Sequence, residues 1–298
     1  MTSKTISRRK LIKSSAFAAL GATLFFNYPQ KVFGNSKNAL TKVALIRNKN
    51  VIDETGKVSK SILSKMLDDA LLQLTSETSV DAAWSSLLKP NDILGIKTNA
   101  WNNLATPAEL EDILKEKAIQ IGIPESNISI NDRGVLRDPV FKRATALINT
   151  RPMRTHAWSG VGSLIKNYIM FAEKPSDYHS DSCADLAKVW QLDNVAGKTR
   201  LNILVMLTPL FHGIGPHHFN KQYTWKYNGI IVGTDPVAVD SVGLRIIEAK
   251  RKAYFTEDMP LNPPAKHILL ADTRHGLGTA DPEKIELIKL GWEEDILI

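Results

Sequence analysis

The sequence predicts an α/β fold: a mostly parallel sheet flanked by helices, in a single compact body after an N-terminal signal peptide. Two observations carry this. Short apolar runs rich in β-branched residues alternate along the chain with segments of helical spacing, the pattern of a buried sheet covered by helices. The polar residues with chemical potential fall where the apolar runs stop, which is where such sheets hold ligands.

Residues 41–47 (Thr-Lys-Val-Ala-Leu-Ile-Arg) read as the first strand. Residues 59–74 place Ile62, Leu63, Met66, Leu67, Ala70, Leu71 and Leu74 at helical spacing. Residues 80–88 continue in helical style up to the turn Lys89-Pro90-Asn91-Asp92, and 93–97 form a second strand that stops at polar Thr98-Asn99. Thr106-Pro107-Ala108-Glu109 reads as a capping box with proline at the first helical position, opening a helix to about Gly122. Residues 127–131 form a third strand ending in Asp132-Arg133-Gly134, and 146–150 a fourth. A polar loop with Arg154 and His156 is expected next, then a helix over 160–171 and a flap or loop over 174–185. Strands are expected at 201–206, 229–233 and 267–270. Asp235-Pro236 opens a helix to about Lys250, and Asp281-Pro282-Glu283 opens the last helix.

The formal charge of +7 comes from 38 Lys and Arg against 31 Asp and Glu. Residues 1–34 hold six of those bases (Lys4, Arg8, Arg9, Lys10, Lys13, Lys31) and no acid; removing six from 38 leaves 32 bases against 31 acids in the body. The basic balance is thus local to the leader, and nucleic acid is not an expected partner. Ser7-Arg8-Arg9-Lys10-Leu11-Ile12-Lys13 precedes an apolar stretch at 16–26 that is short for a membrane span and suits a signal sequence. The paired arginines resemble the twin-arginine export signal, with Leu11 in place of the usual aromatic. The expected organisation is a signal peptide at 1–34 and an α/β domain at 35–298, with the twin-arginine machinery as partner, a periplasmic or otherwise exported location, and no span in the mature chain.

The single cysteine, Cys183, excludes an internal disulfide and an iron–sulfur cluster held by this chain alone. Any metal would need histidine and carboxylate ligands. Three of the seven histidines lie within residues 212–218, among Gly213, Gly215 and Pro216; neutral imidazoles are common metal ligands. His212, His217 and Asp132 are the candidate ligands for a divalent metal, with a solvated structural loop as the alternative. Arg154 and Lys166, beside the Gly160-Val161-Gly162-Ser163 segment, suit an anion site, though the full phosphate-loop fingerprint is missing. Asp235 is explained as a helix cap. Asp240, one turn further among Val239, Val242 and Leu244, is not explained that way and calls for a buried partner. Lys97 suits a carboxylate or an anionic ligand, or else a place at the sheet rim. Serine-hydrolase and dinucleotide motifs are missing.

Together, Ile96-Lys97-Thr98-Asn99, Leu147-Ile148-Asn149, Arg154-Thr155-His156, Gly160-Val161 with Lys166-Asn167, residues 213–216 and Asp235-Pro236-Val237-Ala238-Val239-Asp240 resemble the domain of unknown function 362 family over residues 42–291. Some members carry ferredoxin-type cysteine motifs, which this chain lacks. The family usually has lysine where Arg154 stands, and often an acid where this chain has Val205. The expected site is one cleft at the strand ends. In it His156 is acid, base or ligand, Lys97 and Lys166 are anion partners, Asp240 is an orienting carboxylate, and Asn99, Arg154 and Asn167 bind substrate. An enzyme or ligand-binding protein fits this. The alternative is a non-catalytic accessory protein or a redox partner.

Overall fold

A computed structural model describes residues 40–213, 215 and 217–298. The expected leader, with its arginine pair, lies outside the described residues. An eight-stranded sheet runs through the middle: β1 (Thr41–Arg47), β2 (Leu94–Lys97), β3 (Ile128–Asn131), β4 (Ala146–His156), β5 (Gly160–Gly162), β6 (Thr199–Leu210), β7 (Gly229–Gly233) and β8 (Ile285–Gly291). The order is β3-β2-β4-β6-β7-β1-β8, with β5 paired to the far end of β4. Neighbours pair in parallel except β6–β7, β7–β1 and β4–β5, so only β7 and β5 run against the rest.

Both faces are covered. Helices α1 (Lys60–Thr75), α2 (Val80–Leu87) and α3 (Ala108–Gln120) bury Leu63, Leu67, Trp84 and Leu110 against Ile96, Ile148 and Ile203. The other face takes α4 (Pro139–Arg143), the single turn α5 (Leu164–Asn167), α6 (Pro236–Phe255) and α7 (Lys266–Thr273), packed on Leu147, Met153 and Leu204. A central sheet with apolar side chains on both faces explains why its strands read as continuous apolar runs. Among the described residues no helix is long and apolar enough to cross a membrane.

Several expectations are corrected. Residues 267–270 are helical, inside α7; a four-residue apolar run has no period to distinguish helix from strand. The expected last helix is one 3-10 turn, Pro282–Lys284, followed by β8, which pairs in parallel with β1 along its whole length. Thr106 does not cap α3. Its hydroxyl accepts from Asn99 N at 3.1 Å and donates to the Thr150 carbonyl, while Pro107 holds the cap position. Residues 160–171 are not one helix but β5, α5 and a 3-10 turn. The expected flap at 174–185 holds a 3-10 turn, Pro175–Tyr178, and a tight turn, Ser180–Cys183.

The correction that matters most for chemistry is β4. The segment expected to be a polar loop is strand through His156 and buried throughout. It stays paired beyond Thr150 through Pro152↔Val205, Arg154↔Leu210 and the β5 hairpin. The register shifts between Pro152 and Arg154, and a bulge is where a strand tolerates proline.

Candidate functional site

Strict alternation along β4 would put Arg151 and His156, five residues apart, on opposite faces. The bulge between them reverses the alternation. Gly162 on β5 shows the result: a side chain there would meet Arg151 Nη2 at 2.9 Å and the His156 ring at 3.3 Å. Both groups therefore crowd one point, and a side chain at 162 would push the Arg151 guanidinium or the His156 ring aside.

Asp240 organises the next layer. From the first turns of α6 its carboxylate accepts from Ser163 Oγ (2.6 Å), Leu164 N (2.9 Å) and Ile165 N (2.8 Å). It caps α5 from another element and so fixes where Lys166 and Asn167 project. Burial raises its pKa to about 6 against the pull of those bonds. Asp240 thus has the buried partners the sequence called for, but they are backbone amides and a hydroxyl rather than His156. Asp235 is the cap expected of it, accepting from Val237 N at 2.8 Å and Ala238 N at 3.1 Å.

Lys97, fully buried at the end of β2, is a hub. Its ammonium donates to Asp132 Oδ1 at 2.6 Å, the Thr98 carbonyl at 2.7 Å and Asn167 Oδ1 at 3.3 Å, which uses all its protons. Burial pulls Lys97 down to about 8 despite Asp132. On Asp132, burial works upward, but the Lys97 ammonium and the Ala100 amide outweigh it and hold the carboxyl below its usual range. Asn167 donates to Asn149 Oδ1 (2.8 Å) and to the Thr150 and Lys97 carbonyls, tying β2, β4 and α5 together. Asn99 accepts from Arg154 Nη1 at 2.9 Å, and the Trp101 ring lies 4.4 Å from that guanidinium.

Arg151 and Arg154 are buried with little to bond. Arg151 Nη1 reaches the Ser163 carbonyl at 3.3 Å, and the Nε of each arginine has no partner among the described residues. Burial lowers both, yet a guanidinium stays charged. Lys166, lowered to about 8 by burial, touches only Cys183 Sγ, at 3.4 Å. His156 Nδ1 accepts from Trp158 N at 3.2 Å, which leaves Nε2 to carry the proton. Burial first, then Lys166, Arg151 and Arg154, hold this ring far below its ordinary pKa, so it stays neutral. Among the described residues, the hydroxyls of Thr150 and Thr155 and both nitrogens of His267 are also buried without partners.

The strand-end cluster therefore gathers Lys97, Arg154, His156, Lys166, Asn99, Asn167, Asp132 and Asp240. His212 and His217 sit elsewhere in their bonding. His212 Nδ1 faces Arg251 at 3.1 Å within a pocket of Tyr223 and Phe255. His217 lies against the Trp158 ring, 5.5 Å between centroids. Asp132 is given to Lys97, so the expected His212–His217–Asp132 set is not assembled. Among the described residues no three His, Cys, Asp or Glu side chains are placed to hold a metal ion.

Sequence reasoning gave no role to Arg151 or His267, and found no support in spacing for a nucleophile at Cys183. Arg151 was hidden by Pro152, which read as a strand end. The other two become legible only when α7 packs on the 180–183 turn and Lys166 reaches Cys183. Adjoining the cluster at Asp132, a cleft of about 820 Å³ opens at the ends of β2 and β3, lined by Thr98, Trp101, Asn103, Glu111, Asp132 and Arg133 among others. A second groove of about 550 Å³, beside Ile46, Lys65 and Leu290, holds no comparable set of buried charges.

No match is found among curated proteins or among solved structures. The family described as Domain of unknown function (DUF362) matches residues 96–245, a span that holds Lys97, the Arg151–His156 stretch, Lys166 and Asp240, and the chain belongs to that family.

Proposed function

We propose that this chain binds a small anion, a phosphate or a carboxylate, between Arg151, Arg154 and Lys166, and that it is an exported enzyme or ligand-binding protein built around that site. One observation carries the reading. Four buried cations (Lys97, Arg151, Arg154, Lys166) lie beside two carboxylates, buried Asp240 and half-buried Asp132, both of which are already bonded. A buried charge without a counterion is strongly unfavourable. The surplus of two positive charges, with guanidinium N–H groups left over, is what a bound anion neutralises. Neutral His156 offers Nε2–H as a further donor, and Asp240 positions Lys166 without touching the ligand.

Thermal unfolding tests this. At a phosphate concentration about a hundred times its dissociation constant, the folded state gains about 2.7 kcal/mol and the midpoint rises. A panel of phosphate, sulfate and small carboxylates, each matched in ionic strength with chloride, ranks the classes. No shift from any of them, with chloride unchanged, sinks the reading.

A further inference from the structure

The cleft at the ends of β2 and β3 is far larger than a free phosphate or a small carboxylate needs. Its volume of about 820 Å³ lies in the range of about 300–1,000 Å³ typical of sites for organic ligands. Trp101 joins it to the anion site. The ring lines the cleft and lies 4.4 Å from the Arg154 guanidinium, whose Nε is buried without a partner among the described residues. Asp132 is a second link, since it lines the cleft while it holds Lys97.

Two carboxylates line this cleft, and they are satisfied differently. Asp132 has the Lys97 ammonium at 2.6 Å, the Ala100 amide at 3.0 Å and, at the rim, Arg133 at 3.9 Å. Glu111, half-buried on the first turn of α3, accepts only from the hydroxyl of Thr98 and forms no ion pair among the described residues. Burial first, then the charges of Asp112 and Asp132, push its carboxyl up against the Thr98 bond. The negative charge there is thus uncompensated. The two ends are held by consecutive residues. Thr98 bonds Glu111, and Asn99 accepts from Arg154 Nη1 at 2.9 Å, with about 3.8 Å between their Cα atoms. A carboxylate short of a cation and a guanidinium short of an anion therefore flank one stretch of chain, beside a cavity with room for an organic arm between them.

We propose that the ligand of the anion site is a zwitterion: its phosphate or carboxylate lies against Arg151 and Arg154, its arm runs through the cleft past Trp101, and its ammonium group meets Glu111. The assignment names the ligand class of the anion-binding reading above and rests on it. An ammonium fits better than a hydroxyl, because Thr98 already gives Glu111 a neutral donor and what is left to meet is its charge. The neighbouring Asp132 is met in the same way, by the ammonium of Lys97. Binding makes and breaks no covalent bond, and Lys166 stays protonated, as the anion site requires.

Isothermal titration at pH 7 with paired phosphonates tests this. Each pair is an ω-aminoalkylphosphonate and the n-alkylphosphonate of equal chain length, over about two to six carbons, so that its members differ in the ammonium alone. In the wild type the ammonium should tighten binding about tenfold or more at one or more lengths. In Glu111→Gln, which keeps an acceptor for Thr98, the ratio within each pair should fall to about one. The wild-type comparison stands by itself if that variant does not fold. No gain from the ammonium at any length, with inorganic phosphate still bound, removes the zwitterion and leaves the anion site. A gain that survives in folded Glu111→Gln also overturns the assignment. Failure of phosphate and of every phosphonate to bind folded wild type removes the anion site beneath it as well.

Discussion

Lys97 and Lys166 show how neighbours decide what one residue type can do. Each is buried and each is lowered to about 8. Lys97 is occupied by Asp132 and two oxygens and acts as a structural tie, while Lys166 keeps its protons free for a ligand. The pH dependence follows, with opposite signs for stability and binding. Between about 8 and the unfolded value of 10.5 the unfolded lysine holds a proton that the folded one has lost, so the empty protein gains stability as pH rises through that window. Anion binding needs charged Lys166, so its contribution to affinity is lost as pH rises through about 8. Calorimetry at pH 7 and pH 9.5 should show weaker phosphate binding at the higher pH while chemical denaturation shows a higher midpoint; equal affinity at the two pH values contradicts the role given to Lys166. Asp240 makes a separate prediction. Removing it leaves Ser163 Oγ and two amides buried without an acceptor, so Asp240→Ala should cost about 3–5 kcal/mol and Asp240→Asn, which keeps an acceptor oxygen, clearly less. Urea unfolding measures both. The need for a buried partner at Asp240 was legible in the sequence, from an acid placed among valines; the identity of the partner was not, because backbone amides leave no mark in composition.

At the scale of elements, the site depends on the irregular half of β4. Its first half, 146–150, was legible as an apolar run. The second half was not, because Pro152 removes a backbone donor and normally ends a strand. Pairing with β5 and β6 supplies what local sequence withholds, and the bulge returns Arg151 and His156 to one face. Filling the gap between them should therefore harm binding more than folding. Gly162→Val places methyl groups where Arg151 Nη2 lies 2.9 Å from a bare Cβ, and it should weaken phosphate binding by about tenfold, with circular dichroism and oligomeric state unchanged. Wild-type affinity in that variant would contradict the shared face. α7 was misread for the same general reason as β4: with four apolar residues at 267–270 there is no period, and packing decides. Its reassignment is what buries His267.

For the whole molecule, the order of strands and helices was legible because a sheet buried on both faces writes continuous apolar runs into the sequence, and nearly every strand up to β7 was found. Convergence of side chains from β2, β4, α5 and α6 on one end of the sheet was legible only as a rule about parallel sheets. The His212 cluster shows the rule's limit, since local density of histidines says nothing about where their rings point. The charge pattern supports the proposed export. With six bases and no acid in residues 1–34, replacing Arg8 and Arg9 by lysine should leave the protein inside the cell while keeping its fold, as fractionation and immunoblotting would report. Unchanged export would remove the twin-arginine assignment. The central claim is that a surplus of buried positive charge exists to hold an anion, and isothermal titration of inorganic phosphate into the wild-type protein and into Arg151→Met/Arg154→Met at pH 7 tests it most directly. The account predicts saturable one-site binding in the wild type, weakened by at least about a hundredfold in the double variant; equal binding by the two proteins, or none by a folded wild type, would contradict it.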